Sequence, residues 1–304
     1  MVDAKLVEGY RECARLTWRY GTTYFWGAVL LPRRQRKHVY AVYALCRLAD
    51  DIIDLPDTTD SAVVEAQLDA FEQRFRTALL ERDSEDPVLA AIVHTVISCG
   101  IEPECFERFF GAMRMDLTVT SYRTWEDLCG YMEGSAAVIG EMMLPVLEPT
   151  SPDAKAPARS LGLAFQLTNF LRDVAEDLDR GRVYLPQDDV EHFGVDLSQR
   201  RATAEFSALM AYEIERNRAL YDFADTGIAM LPPRSARCVG TARVLYAQIL
   251  ERIEAADYDV FRSRARVPTW RKAVTAARIL VSGPVKSGQR QLERSRRHVT
   301  SHAG

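Results

Sequence analysis

Two segments of the sequence place carboxylates and other polar groups in line along a helical surface. In the first, His38–Leu55, the residues Tyr43, Arg47, Asp50 and Asp54 stand at offsets of 0, 4, 7 and 11. At 100° per residue of an α-helix, these four side chains fall within about 40° of one another. The two aspartates lie roughly 6 Å apart along the axis, which suits a pair of carboxylates that share divalent cations.

The second segment, Leu161–Asp179, repeats this arrangement with different residue types. Gln166, Asn169, Asp173 and Asp177 stand at offsets of 0, 3, 7 and 11 and span about 80° of a helical surface. The flanking positions are apolar, so we expect this polar stripe to run beside the hydrophobic core.

Acidic residues four apart on a helix also form ordinary solvated faces that pair with Arg or Lys. Here each stripe is bounded by apolar residues, such as Ile52 and Ile53 in the first and Phe170 and Val174 in the second. Carboxylates among apolar neighbours are unfavourable unless cations or hydrogen-bond donors neutralise them. Two such stripes in one chain therefore favour a metal-lined cavity.

The donor types point to a hard cation. No histidine lies in a Glu-x-x-His pair, which disfavours a di-iron carboxylate bundle, and no His/Cys cluster indicates zinc. Oxygen ligands favour Mg²⁺, with Mn²⁺ as an alternative. A diphosphate is the natural substrate group for such a site, because bound cations offset its charge and make it a leaving group.

Composition narrows the class of protein. The 304 residues are 47% hydrophobic and 27% charged, with a net charge of −4, as in a globular protein with a large core. The mild acidity argues against a general nucleic-acid binder. The six scattered cysteines, the charged N-terminus and the lack of a long apolar run predict a cytoplasmic protein.

Helical periodicity dominates the chain, and strand signals are scarce. The clearest helical segments are Ala62–Glu81, Asp153–Arg180, Arg200–Met230 and Ser235–Ala256. Breaks are expected at residues 55–57, 86–87, 100–103, 148–152, 185–186 and 231–233. None of these breaks is long enough to be an interdomain linker, so we predict one all-α domain over residues 1–304.

Charge is uneven along the chain. From Arg262 to the end there are 11 Lys and Arg residues and one acidic residue, whereas the preceding part has 28 basic and 42 acidic residues. A basic tail from about residue 282 could contact an anionic membrane surface, but a solvated, frayed terminus is the alternative that we favour.

The two acidic blocks resemble those of the squalene/phytoene synthase family of head-to-head prenyltransferases. TTYFWGAVLLPRRQRKHVYAVYALCRLADDIID, at 22–54, is similar to the family's N-terminal block, and Asp50 and Asp54 fill its Asp-x-x-x-Asp positions. NFLRDVAEDLDRGRVYLP, at 169–186, resembles the second Asp-rich motif and the segment after it. The middle motif departs from the family pattern, because YMEGSAAVIG carries Met132 for a Cys and Ala137 for a Gly.

The resemblance implies an isoprenoid synthase helical bundle with a central apolar cavity, and it implies roles for individual residues. Magnesium ligands would be Asp50, Asp51, Asp54, Asn169, Asp173 and Asp177. Substrate-binding residues would be Arg47, Gln166, Asn169, Arg172, Arg182 and Arg264. Catalytic residues would be Tyr43, Arg47, Asp50, Asp54, Tyr131, Gln166, Asp173, Asp177, Tyr184 and Tyr246. Arg172, Arg180 and Arg182 could close over the diphosphate or form ordinary surface ion pairs.

The implied reaction joins two prenyl diphosphates through a cyclopropyl intermediate and releases diphosphate. We favour two molecules of geranylgeranyl diphosphate giving phytoene, with NADPH not expected because no G-x-G-x-x-G motif is present. Squalene or dehydrosqualene synthesis from farnesyl diphosphate is the main alternative. Head-to-tail elongation, a class I terpene cyclase and a non-catalytic helical scaffold are less favoured.

Overall fold

The computed structural model describes residues 4–54, 58, 60–265 and 267–282. These residues form thirteen α-helices and no strand, which confirms the all-α prediction. The helices are α1 (Ala4–Tyr20), α2 (Thr22–Ala28), α3 (Arg33–Asp54), α4 (Ser61–Glu81), α5 (Pro87–Cys99), α6 (Pro103–Met115), α7 (Trp125–Met132), α8 (Val138–Leu147), α9 (Lys155–Asp179), α10 (Gln187–His192), α11 (Ala204–Ile228), α12 (Pro233–Ala255) and α13 (Thr269–Ser282).

Capping residues set the helix ends close to where the sequence predicts breaks. Asp86 accepts hydrogen bonds from the amides of Val88 and Leu89 at the start of α5, and Gly100 ends that helix in the left-handed region, with φ of 67°. The helix predicted from Arg200 begins at Ala204 instead. Arg200 has a positive φ of 47°, and the Thr203 hydroxyl caps the helix by accepting from the amide of Phe206.

Two buried clusters form the core. One joins α1, α3, α4, α5, α6 and α8 around aromatic side chains such as Phe75 and Phe110. The other joins α7, α9, α11 and α12 around Leu128, Phe206 and Tyr221. Both clusters contribute to the wall of one internal cavity, so the acidic helices α3 and α9 each pack on the core and also face that cavity.

Glycines allow α9 to approach the preceding helix closely. A Cβ atom at Gly162 would lie 2.3 Å from the carbonyl oxygen of Ala136, and one at Gly140 would lie 2.3 Å from the carbonyl oxygen of Ala158. Ala136 belongs to a π-helical turn, Glu133–Ala137, between α7 and α8. The small residues of the YMEGSAAVIG segment thus permit backbone contact beside the cavity.

Some predictions fall on residues that the structure leaves undescribed. The break at 55–57 and the basic tail after residue 282 lie outside the described residues. The single-domain assignment stays a prediction. In the part of the chain that is described, no helix combines the length and the apolar character needed to cross a membrane.

Candidate active site

The cavity has a volume of about 790 Å³ and an uneven lining. Most of its wall is apolar and comes from α2, α3, α6, α8, α9, α11 and α12, with side chains such as Val39, Ile139, Leu161 and Phe165. Charged side chains come from the last turns of α3 and α9 and from the segments that follow α6, α9 and α12. The cavity can therefore hold a long apolar molecule that carries a charged head group.

An arginine bridge brings the two acidic motifs together. Arg180 and Arg182, which follow α9, each place a guanidinium nitrogen 3.2 Å from the carboxylate of Asp54 at the end of α3. Arg182 also donates to the main-chain carbonyl of Asp116, at 3.1 Å. The ends of α3, α6 and α9 thus meet at the same end of the cavity.

Asp173 is neutralised by two arginines. Arg172 donates from Nε at 2.7 Å, and Arg264 donates from Nε and Nη2, both at 2.7 Å. Burial would raise the pKa of Asp173, but these two guanidinium groups outweigh burial and hold that pKa below its usual range. Arg264 comes from beyond α12, so the site draws on a segment distant in sequence.

Asp50 and Asp177 have the opposite electrostatic environment. Burial and the neighbouring Asp54 raise the pKa of Asp50 to about 7. Burial and the neighbouring Asp173 raise the pKa of Asp177 to about 7, although Arg180 and Arg182 oppose the shift. Among the described residues, neither carboxylate has an arginine hydrogen bond. These two groups therefore favour an added positive charge.

Asp51 does not line the cavity. On α3 it lies one residue beyond the stripe, and its carboxylate pairs with Arg47 one turn earlier. The guanidinium carbon of Arg47 also lies 4.3 Å from the ring centroid of Tyr20. All the other predicted site residues contribute to the cavity lining.

Aromatic side chains surround the apolar part of the site. The Tyr246 hydroxyl donates to the Tyr24 hydroxyl at 3.0 Å, and the ring of Tyr24 lies 5.7 Å from that of Tyr43. Phe165 stacks on Tyr246 at 4.2 Å between ring centroids. These rings present electron-rich faces and hydroxyl groups where a carbocation could pass.

The lining residues that the sequence does not predict include Tyr24, Asp116 and Lys272. Tyr24 lies within the first matched block, but no periodic pattern distinguishes it there. Asp116 follows α6 between Met115 and Leu117 and belongs to neither acidic stripe. Lys272 lies in the basic region that begins at Arg262, and it is partly buried. Its ammonium donates to the Thr22 hydroxyl at 2.6 Å. Only the three-dimensional arrangement of these residues places them at the cavity.

Within the described ranges, no group of three or more His, Cys, Asp and Glu side chains could hold a metal ion by protein ligands alone. The acidic side chains instead line a cavity in which ligand oxygens could complete a coordination shell. Such sharing between one or two carboxylates and substrate phosphates is the usual binding mode of Mg²⁺.

Sequence comparisons identify the family and similar proteins. The model of the squalene/phytoene synthase family matches residues 18–271. A 15-cis-phytoene synthase of Synechococcus elongatus is 37% identical over 284 residues, 88% of this chain and 91% of the relative. A phytoene synthase of Arthrospira platensis is 36% identical over 281 residues, 87% of this chain and 90% of the relative.

Solved structures show the same architecture. A dehydrosqualene synthase bound to a ligand aligns with a TM-score of 0.83 at 27% identity, covering 90% of this chain and 96% of the other. A squalene synthase of Alicyclobacillus acidocaldarius aligns with a TM-score of 0.76 at 31% identity, covering 85% and 97%.

The opposite pKa shifts predict opposite effects of two similar substitutions on stability. Asp50→Asn should raise the free energy of unfolding at pH 8 by ~1–2 kcal/mol, because it removes a carboxylate that folding holds in an unfavourable environment. Asp173→Asn should lower that free energy by a similar amount, because it removes a carboxylate that two arginines stabilise. Urea unfolding at pH 8 measures both.

The pH dependence provides the control. The Asp50→Asn gain should shrink as the pH falls from about 7 towards the ordinary aspartate value of 3.8, since the wild-type carboxyl then becomes protonated in the folded state. The Asp173→Asn loss should persist until the pH falls below 3.8. Equal losses for the two variants at pH 8 would contradict the assigned electrostatics.

Proposed function

The chain belongs to the squalene/phytoene synthase family, and we propose that it condenses two molecules of geranylgeranyl diphosphate head to head to form phytoene in carotenoid biosynthesis. The observation that carries this proposal is the meeting of two acidic helix ends, α3 and α9, at one end of a largely apolar cavity. The relatives named phytoene synthase support the choice of product, because they cover nearly the whole chain.

Different parts of the cavity would hold the hydrocarbon chain and the diphosphate group of a prenyl diphosphate. Its apolar wall would hold the hydrocarbon chains and exclude water, which would otherwise quench a carbocation. Arg180, Arg182 and Lys272 line the cavity and would bind diphosphate oxygens as fixed positive charges. Arg172 and Arg264 could also reach a diphosphate if either released Asp173.

The donor set fits Mg²⁺, with Mn²⁺ as an alternative. The ligands would be Asp50, Asp54, Asn169, Asp173 and Asp177, with Asp173 joining when an arginine transfers to the diphosphate. The raised pKa values of Asp50 and Asp177 support this assignment, because they mark uncompensated negative charge. When bound, the ion would neutralise the diphosphate and make it a better leaving group.

The remaining residues would guide the carbon skeleton. Departure of diphosphate from one donor leaves an allylic cation, which the double bond of the second donor attacks, and proton loss then closes a cyclopropane. Departure of the second diphosphate allows the skeleton to rearrange until the two first carbons are joined. The Tyr24 ring lies 5.7 Å from that of Tyr43 and 5.6 Å from that of Tyr246. These three rings would stabilise the cations without trapping them.

Squalene or dehydrosqualene synthesis from farnesyl diphosphate is the second candidate. The solved relatives with those names favour it through the shared fold, at 27% and 31% identity. The curated phytoene synthases are more similar in sequence, at 36–37% identity, and therefore favour the C20 donor. Head-to-tail elongation and terpene cyclisation are disfavoured by membership of a head-to-head family.

A product assay tests the proposed function. Purified protein with Mg²⁺ and geranylgeranyl diphosphate should give a C40 triene without NADPH, identified by mass spectrometry of the extracted hydrocarbons. Farnesyl diphosphate, with and without NADPH, is the parallel reaction. A C30 product in place of the C40 triene would favour the second candidate, and no hydrocarbon from either donor would refute both.

Two matched substitutions on α9, Asp177→Asn and Asp179→Asn, test the metal dependence. Asp177→Asn should reduce kcat by ~100-fold or more, as should Asp50→Asn, because each removes a carboxylate proposed to hold Mg²⁺. Asp179→Asn is the control: Asp179 lies two residues from Asp177 but is exposed and pairs with Arg200. Chelation of Mg²⁺ should abolish product formation by the wild type. Near-normal turnover by Asp177→Asn, or product without divalent cations, would contradict the metal assignment.

We also propose that the protein is cytoplasmic and contacts the membrane only at its surface. Trp18 is 48% exposed and packs against Phe25 and Trp26, beside the residues at 20–24 that line the cavity. Amphipathic aromatic side chains favour the membrane–water interface. An apolar C40 product would leave most readily into lipid at such a position.

Sedimentation with vesicles tests this contact. The wild type should pellet with anionic vesicles, and Trp18→Ser should reduce the bound fraction severalfold. Phe223→Ser is the matched control, because Phe223 is similarly exposed, at 50%, on α11. Equal binding by both variants and the wild type would exclude Trp18 from the contact.

A further inference from the structure

A partly buried carboxylate that neither acidic motif includes, that of Asp116, lies against two tyrosine hydroxyls in the cavity wall. Tyr131 donates to Oδ2 of Asp116 at 2.9 Å, and Tyr184 donates to Oδ1 at 3.1 Å. Each carboxylate oxygen therefore accepts one hydrogen bond from a phenol. Asp116, Tyr131 and Tyr184 all line the cavity.

Packing fixes the positions of these hydroxyls. The rings of Tyr184 and Phe170 are nearly parallel, with centroids 4.0 Å apart, and the Tyr131 ring lies 5.8 Å from that of Tyr184. Tyr122 joins the same stack at 5.2 Å from Tyr131. Unlike its neighbours, the buried Tyr122 hydroxyl has no hydrogen-bond partner among the described residues, and Tyr122 does not line the cavity.

The charged groups around Asp116 leave its carboxylate able to accept a proton. Arg182 donates to the main-chain carbonyl of Asp116 and to Asp54, and none of its described hydrogen bonds reaches the Asp116 carboxylate. Burial raises the pKa of Asp116 to about 6; Asp54 adds to this shift, whereas the two tyrosines and Arg182 oppose it. Asp173, by comparison, is held ionised by two arginines.

The proposed reaction requires two proton losses from carbon. A triene that joins the two first carbons by a double bond has one hydrogen on each of them, whereas each substrate has two. One proton therefore leaves from each first carbon, the first when the cyclopropane closes and the second when the final double bond forms. A neutral phenol can accept such a proton only if it releases its own at the same time.

We propose that Asp116 is the positioning residue that makes Tyr131 a proton acceptor in this reaction. The C–H electron pair forms the new carbon–carbon bond, and the proton passes to Oη of Tyr131. The original hydroxyl proton of Tyr131 moves along the existing hydrogen bond to Oδ2 of Asp116. Tyr184 holds the other carboxylate oxygen and keeps Oδ2 directed at Tyr131. This inference rests on the proposed function.

The test uses geranylgeranyl diphosphate carrying two deuterium atoms on the first carbon. Asp116→Asn preserves the size of the side chain but removes its ability to accept a proton. It should lower kcat by ~100-fold with KM changed less than about threefold, since the substrate contacts remain. The deuterium isotope effect on kcat should rise from near unity to above about 2, because proton removal becomes rate-limiting.

Two further variants make the test specific. Tyr131→Phe should give the same loss and the same isotope effect, and the double variant should be no slower than the slower single variant, because both act on one proton transfer. Tyr122→Phe, from the same aromatic stack, should behave as the wild type. If circular dichroism shows that Asp116→Asn does not fold, the isotope effect in Tyr131→Phe decides whether Tyr131 accepts the proton.

The outcomes are distinguishable. A wild type that forms no C40 triene refutes the proposed function itself. A productive wild type, with Asp116→Asn keeping near-normal kcat or losing activity without a larger isotope effect, overturns the role of Asp116 while leaving the proposed function intact. If the losses of kcat in the double variant were additive, Asp116 and Tyr131 would act independently, which would also overturn the role of Asp116.

Discussion

The site depends on mutual repulsion among carboxylates gathered at one end of an apolar cavity. Five aspartates line that cavity, and burial disfavours the ionised form of four of them: Asp50, Asp116, Asp173 and Asp177. The protein resolves this repulsion unequally. Asp173 receives two arginines, Asp54 shares two others, and Asp50 and Asp177 stay uncompensated, with raised pKa values. A bound cation would relieve the remaining repulsion. The uncompensated charge that destabilises this part of the fold would therefore also favour cation binding.

Helix packing makes this concentration of charge possible. Gly162 and Gly140 allow α9 and the preceding helix to approach until a Cβ would contact backbone oxygen at either position. This close contact holds the polar stripe of α9 against the cavity, whereas Ser160 and Thr168 of α9 form hydrogen bonds with residues of α11. The stripe is therefore fixed by rigid helices rather than by loops, which suits a site that must hold several carboxylates in register.

Much of the site could be predicted because its two main parts each lie within one helix. The stripes containing Asp50 and Asp173 are periodic, and helical geometry alone places their members on one face. Asp51 is predicted through the family resemblance and not through the stripe, because one residue turns a side chain by about 100° around a helix. Its carboxylate pairs with Arg47. Asp116 and Lys272 could not be predicted, because their roles arise from contacts with residues far away in sequence.

The direction of the helices strengthens the demand for positive charge. α3 ends at Asp54, α6 ends immediately before Asp116, and α9 ends at Asp179, so three helix C-termini meet near one end of the cavity. Each C-terminus carries a partial negative charge from its unpaired carbonyl groups, which adds to the charge of the aspartates. Arg182 compensates both the aspartate charge and the helix-end charge, because it donates to the Asp54 carboxylate and to the main-chain carbonyl of Asp116. Under the proposed function, cations held by the uncompensated Asp50 and Asp177 would offset this negative charge, while Arg180, Arg182 and Lys272 would attract the diphosphate itself.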